Sequence, residues 1–252
     1  MLKDPAQGVV ILMASDVMKK SLPRIRQPRT PLALRKIPVY TKGEEIFNMV
    51  THILGGGFGI VALTMCMTSA IMHRNWWGLV TGIFYCISMI LVYVVSSIYH
   101  GLSPLKNLKE KKIMQVLDHC DIYGLVSGTY LPIAMTGLRE SHPVLAWTTL
   151  GIVYGVCILG TVFTAIDFHK FGPISYACYF VAGWSVLAAL PAIIHVYSAL
   201  FAILLFVGGV AYSSGMIFFV LQRKHKYQHS VFHIFIILGS VLQFVPIFLY
   251  CM

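Results

Sequence analysis

The chain has 252 residues, 58% hydrophobic and only 11% charged, whereas soluble domains average roughly 45–50% and about 25%; a water-soluble fold could not hide that much apolar surface. Its formal charge of +10 does not mark a nucleic-acid partner, because the basic residues stand in short clusters between long apolar runs and line no groove. They read as the topology signals of an integral membrane protein.

Residues 1–43 form a compositional block of their own with nine of the nineteen Lys and Arg, read as a basic tail that is disordered or lies at the membrane surface. Its apolar run from Gly8 to Ala14 is short, flanked by Asp4 and Asp16 and followed by no small-residue cleavage site, so no cleaved signal is expected. An interfacial helix over residues 9–20, docked on anionic lipid by Lys19, Lys20, Arg24 and Arg26, is the weaker alternative to plain disorder.

Residues 44–252 predict one membrane domain. A bilayer core of about 30 Å needs roughly 20 apolar residues per helix, and windows of that size lie at 46–72, 76–99, 115–138, 144–165, 173–194, 197–221 and 229–251. The expected fold is all-α, a bundle of seven transmembrane helices in the cell membrane. The tail and the loops after spans two, four and six carry 17 basic residues and the other side 2. That asymmetry puts the amino terminus in the cytosol and the carboxyl terminus outside. Gly55, Gly56, Gly57 and Gly59 in the first span predict close helix packing. The six cysteines have no metal or redox spacing and read as small core residues, with Cys120 notable for its neighbours.

Ionisable groups inside spans are costly and mark function unless they snorkel to water. His73, His142 and His195 fall at the outer face and His169 and His225 in cytosolic loops, where solvation explains them. Four groups remain at the cytosolic ends of spans: His100 closing span two, Asp118 opening span three, and His229 and His233 opening span seven. His229 and His233 lie four residues apart, one turn along one helix face, the spacing by which a helix chelates a metal. His100 supplies a third nitrogen at matching depth, and three nitrogens with an open fourth position describe a catalytic type of zinc site. Two interface histidines bonded to backbone are the competing reading of that pair. Ser96, one turn before His100, could donate to a substrate oxygen or simply bond its own i−4 carbonyl. Glu45, Asn48 and His52 form a polar stripe at the start of span one, read either as a brace for the site or as an ordinary helix start.

The segments Glu45 to His52, Ser96 to His100, Leu117-Asp118 with Gly128 and Pro132, and His229 to His233 resemble the progestin and adipoQ receptor superfamily, above all its bacterial arm, the hemolysin III proteins. The resemblance covers residues 44–252. It implies a zinc ion held near the cytosolic face by His100, His229 and His233, with Asp118 reached through water, and it matches the family serine to Ser96. It further implies either ceramidase-like hydrolysis of a lipid amide or a hemolytic, pore-forming label with a role in membrane-fluidity homeostasis. This chain departs in span three, where His119, Cys120 and Asp121 follow Asp118, so Asp121 competes for the water.

The expected function is therefore a metal-dependent hydrolase of a membrane lipid amide, with Asp118 orienting or deprotonating water and Ser96 holding the oxyanion. The first rival is a receptor or fluidity sensor whose zinc is structural. The second is a pore, which needs polar residues repeating along its spans, and here they cluster at one end. No Ser-His-Asp alternative exists, because no serine sits in a G-x-S-x-G elbow.

Overall fold

The computed structural model describes residues 29–222 and 225–252; the tail's interfacial helix lies outside them. The chain divides into a leading unit, Met1–Thr30, and a main unit, Pro31–Met252. The main unit is entirely helical among its described residues. After a 3-10 turn at Leu32–Leu34 come α1 (Lys42–Met72), α2 (Trp76–Gly101), α3 (Leu108–Ile133), a π-helical turn at Ala134–Leu138 and a short turn at Arg139–Ser141. Then follow α4 (Pro143–Trp184), a 3-10 turn at Ser185–Ala189, α5 (Leu190–Val196), α6 (Ala199–Leu221) and α7 (Gln228–Cys251).

Local chemistry sets these boundaries. Thr41 and Glu44 form a capping box that starts α1: the Thr41 hydroxyl accepts from the Glu44 N–H, and Glu44 Oε2 accepts from the Thr41 N–H at 2.8 Å. Asn75 caps α2 by accepting from the Gly78 N–H at 2.7 Å and ties it to the end of α7 by donating to the Cys251 carbonyl at 2.9 Å. Helix α4 breaks at one residue, Asp167 (φ −168°, ψ 92°), whose Oδ1 accepts from the Lys170 N–H at 3.2 Å and so starts the second half.

Five helical runs among the described residues are long and apolar enough to cross a membrane: Lys42–Met72, Trp76–Gly101, Pro143–Val196, Ala199–Leu221 and Gln228–Cys251. The windows expected at 144–165 and 173–194 fall within one of these runs, bent at Asp167. The window at 115–138 falls on α3 and its π-helical turn, where Asp118, His119 and Asp121 dilute the apolar character. Side chains such as Leu54, Ile60, Phe84, Ile158, Ile203 and Ile217 are exposed along these helices, as lipid-facing residues are.

The predicted glycine packing holds at Gly55 and Gly59. A Cβ would stand 2.7 Å from the Tyr93 ring at the first and 2.7 Å from Ile90 at the second, so α1 meets α2 at a distance that only glycine allows. One core joins Ala62 and Cys66 of α1, Tyr85 and Met89 of α2, and Phe232 and Ile247 of α7. A second joins Tyr123 and Tyr130 of α3 to Val153 and Tyr179 of α4. Residues 31–41, assigned from sequence to the tail, pack beneath the bundle. Lys112 Nζ donates to the Ala33 carbonyl at 2.6 Å, Arg35 donates to the Ile166 carbonyl, and Tyr40 Oη donates to Gln222 Oε1 at 2.6 Å.

Candidate metal centre

Three imidazoles converge where the end of α2 meets the start of α7. His100, His229 and His233 are all buried, and they are the set of ligand atoms among the described residues close enough to share a metal ion. His229 Nε2 stands 3.2 Å from His100 Nε2 and 3.0 Å from His233 Nε2. A tetrahedral ion with nitrogens at 2.0–2.1 Å spaces its ligands about 3.3 Å apart, so His229 stands from each of the other two at close to the separation a metal requires.

The outward-facing nitrogens decide the tautomers. His100 Nδ1 donates to Glu45 Oε2 at 2.7 Å, and His233 Nδ1 is directed at the Asn48 carbonyl at 3.3 Å. With their protons there, both rings turn bare Nε2 lone pairs toward His229 Nε2, which can offer a proton to only one of them. Two lone pairs facing one proton repel; a cation resolves the conflict, and the donor set therefore fits a divalent ion. The i,i+4 pair expected on α7 is in place, and the third histidine comes from α2.

The structure places the polar stripe of α1 around this centre. Glu45 bridges His100 and Lys111, whose Nζ donates to Glu45 Oε1 at 2.7 Å and to the Tyr99 and Leu102 carbonyls at 3.1 and 2.9 Å. Asn48 Oδ1 accepts from Ser230 Oγ at 2.6 Å, fixing the first turn of α7 against α1. His52 stacks on His233 with ring centroids 3.7 Å apart, and both its ring nitrogens lack a partner. Glu44 Oε1 accepts from the N–H of Tyr227, which sits in the left-handed region at φ 60° immediately before α7. On the open side, the Tyr40 ring stacks on His229 at 5.1 Å.

Asp118 and Ser96 stand apart from the three-histidine set. They line, with His52, His119 and His233, one end of a cavity of about 140 Å³. The Ser96 hydroxyl is buried with no hydrogen bond of ordinary length, and it interacts with the neighbouring Asp118 carboxylate. His119, next to Asp118, spends its Nδ1 proton on the Gln115 carbonyl at 2.6 Å and packs against Phe168 and Phe219. Asp121 does not line the cavity, although its Oδ2 is buried without a partner.

Beyond its polar end the cavity runs between apolar side chains, among them Val92, Leu125, Leu205 and Ile236. Phe180 of α4 and Phe206 of α6 both line it and are both exposed. The cavity therefore reaches the lipid-facing surface between these two helices.

Sequence reasoning missed Lys111 and Tyr40. Lys111 stands in a basic cluster that reads as a topology signal. Its spacing of seven residues before Asp118 was the available hint, because two turns put both on one face of α3.

A bundle of apolar helices with a buried histidine centre at one end and a lipid-facing cavity leading from it defines a multi-pass membrane protein. The haemolysin-III related family model matches residues 40–244, and the chain belongs to that family. It is 32% identical to a hemolysin-3 homolog of Bacillus subtilis (strain 168) over 84% of this chain and 97% of that one. It is 33% identical to a hemolysin-3 of Bacillus cereus over 82% and 91% of the two chains. A more distant likeness, 22% identity over 92% of this chain and 94% of the relative, is to the human monocyte to macrophage differentiation factor. No solved structure matches significantly.

Proposed function

We propose that the protein is a zinc-dependent hydrolase of membrane lipid amides, ceramide-like in chemistry, with its site near the cytosolic face. The observation that carries this reading is the cavity: its polar end holds Asp118 and Ser96 beside His233, and its apolar length reaches the lipid between α4 and α6. A lipid slides in sideways with its tail along the apolar wall and its amide at the polar end. His100, His229 and His233 would hold the zinc ion. Zinc, when bound, polarises a carbonyl and acidifies water. Asp118 takes the proton of the water that attacks the amide carbon and passes it to the departing nitrogen. Ser96 donates its hydroxyl hydrogen to the carbonyl oxygen as charge develops there. Purified protein incubated with a panel of lipid amides should release fatty acid, read by mass spectrometry; metal-replete protein that released none would sink the reading.

A second reading, a fluidity sensor with structural zinc, is favoured by the way the buried histidines join α2 to α7. It predicts full zinc and no turnover. The lining of the cavity is mostly apolar and gives a pore no continuous polar conduit.

Lys111 and Glu45 act on the metal through His100 by holding its ring. Lys111→Met should weaken zinc affinity by about 10–100-fold in competition with a chelator. An unchanged affinity would reduce Lys111 to a structural anchor.

The 17 to 2 bias in basic residues supports seven crossings with a cytosolic amino terminus. A reporter fused after Met252 should be active only outside, and one in the loop at 106–112 only in the cytosol; the reverse pattern would overturn the orientation.

A further inference from the structure

The far end of the cavity is not apolar. Gln243 lines it from α7, ten residues beyond His233, which is about 15 Å along a helix and about the depth of one leaflet. The other polar groups of that wall have partners. Thr129 Oγ1 donates to the Leu125 carbonyl at 2.8 Å, Ser213 Oγ accepts from Trp184 Nε1 at 3.0 Å, and Tyr130 Oη donates to the Ala182 carbonyl at 2.9 Å. Tyr212 Oη shares a hydrogen bond with Ser240 Oγ at 2.8 Å. The Gln243 amide makes no hydrogen bond to another described residue and is half-buried in the cavity wall. Polar residues at such depth in a membrane helix mark function by default.

Room has been made for this side chain. A Cβ at Gly208 of α6 would stand 2.6 Å from Gln243 Cγ, so glycine at that position is what admits the glutamine stem. Among the described residues no lysine or arginine lines the cavity, and the one carboxylate that does, Asp118, is at the opposite end. The subsite therefore suits a neutral group that both donates and accepts, as the amide does.

We propose that Gln243 forms a second polar subsite, which takes a hydroxyl carried on the lipid tail about 15 Å from the group held at the histidines. This rests on the cavity being a lipid site and adds a specificity to it: tails hydroxylated at that depth are preferred over plain tails of equal length.

The test offers purified protein an equimolar pair of fatty-acyl amides differing only in that hydroxyl, and counts by mass each lipid bound and each fatty acid released. Wild type should favour the hydroxylated member about tenfold, the scale of one hydrogen bond in a dry site. Gln243→Leu and Gln243→Met should bring the ratio near one by losing the hydroxylated lipid while retaining the plain one. Equal handling of the two lipids by wild type, or a preference that survives both substitutions, overturns the subsite and leaves the lipid site standing. If neither lipid is bound or released, the lipid site falls and the subsite with it.

Discussion

Asp118→Asn is expected to keep near-stoichiometric zinc and to lose about 10²–10⁴-fold in hydrolysis of any lipid amide the wild type cleaves. The structure supports this separation. The three histidines form the tight ligand set by themselves, and Asp118 stands outside it on the cavity wall, where an attacking water would be. Asparagine keeps the size and a hydrogen bond but cannot take a proton. Zinc content by elemental analysis and fatty acid release on the same preparation check both halves. Loss of zinc would make Asp118 a direct ligand and the site more closed than proposed. Retained zinc with retained turnover would move the base elsewhere, with Asp121, one turn along and itself buried without a partner at Oδ2, the first residue to replace.

His100→Ala and His233→Ala should each strip the metal and uncouple α2 from α7. Each removes one of three nitrogens and takes away a neighbour's contact: that of the half-buried Glu45 Oε2 in the first case, that of the buried His52 ring in the second. Binding to the folded state alone contributes about 2.7 kcal/mol when free zinc stands 100-fold above its Kd. Added zinc should therefore raise the melting temperature of wild type and leave both variants where they were. Variants that still bound zinc stoichiometrically and still responded to it would show that these histidines are interface residues.

Much of this was legible in the sequence because it is periodic. His229 and His233 share a face by the 3.6-residue repeat, Ser96 and His100 likewise, and apolar windows of bilayer length located the ends of α2 and α7 that carry the histidines, whereas α3 starts seven residues before its window and puts Asp118 inside the helix. The break in α4 was not legible as such. Lys170, Gly172 and Pro173 suggest a loop between two spans, but a single non-helical residue, Asp167, suffices to turn the chain while its carboxylate starts the next half. Lys111 was hidden for a different reason. Counting basic residues assigns four lysines to one side of the membrane without saying which folds inward, and its partner Glu45 is 66 positions away. Tyr40 lies in a segment whose composition matches the tail, and its ring contacts with His229 and His100, which tie it to the site, have no signature in the sequence. The cavity itself has no signature in sequence, because most of its wall is drawn from the ordinary apolar faces of six helices that are distant along the chain.

The most direct test of the account is X-ray absorption at the zinc edge on the purified, catalytically competent protein. The account predicts one zinc per chain with three imidazole nitrogens and one oxygen at about 2.0–2.1 Å, the oxygen being the open position filled by water. A shell with sulfur at about 2.3 Å, a fourth histidine in place of the oxygen, or protein that takes up no zinc would contradict it.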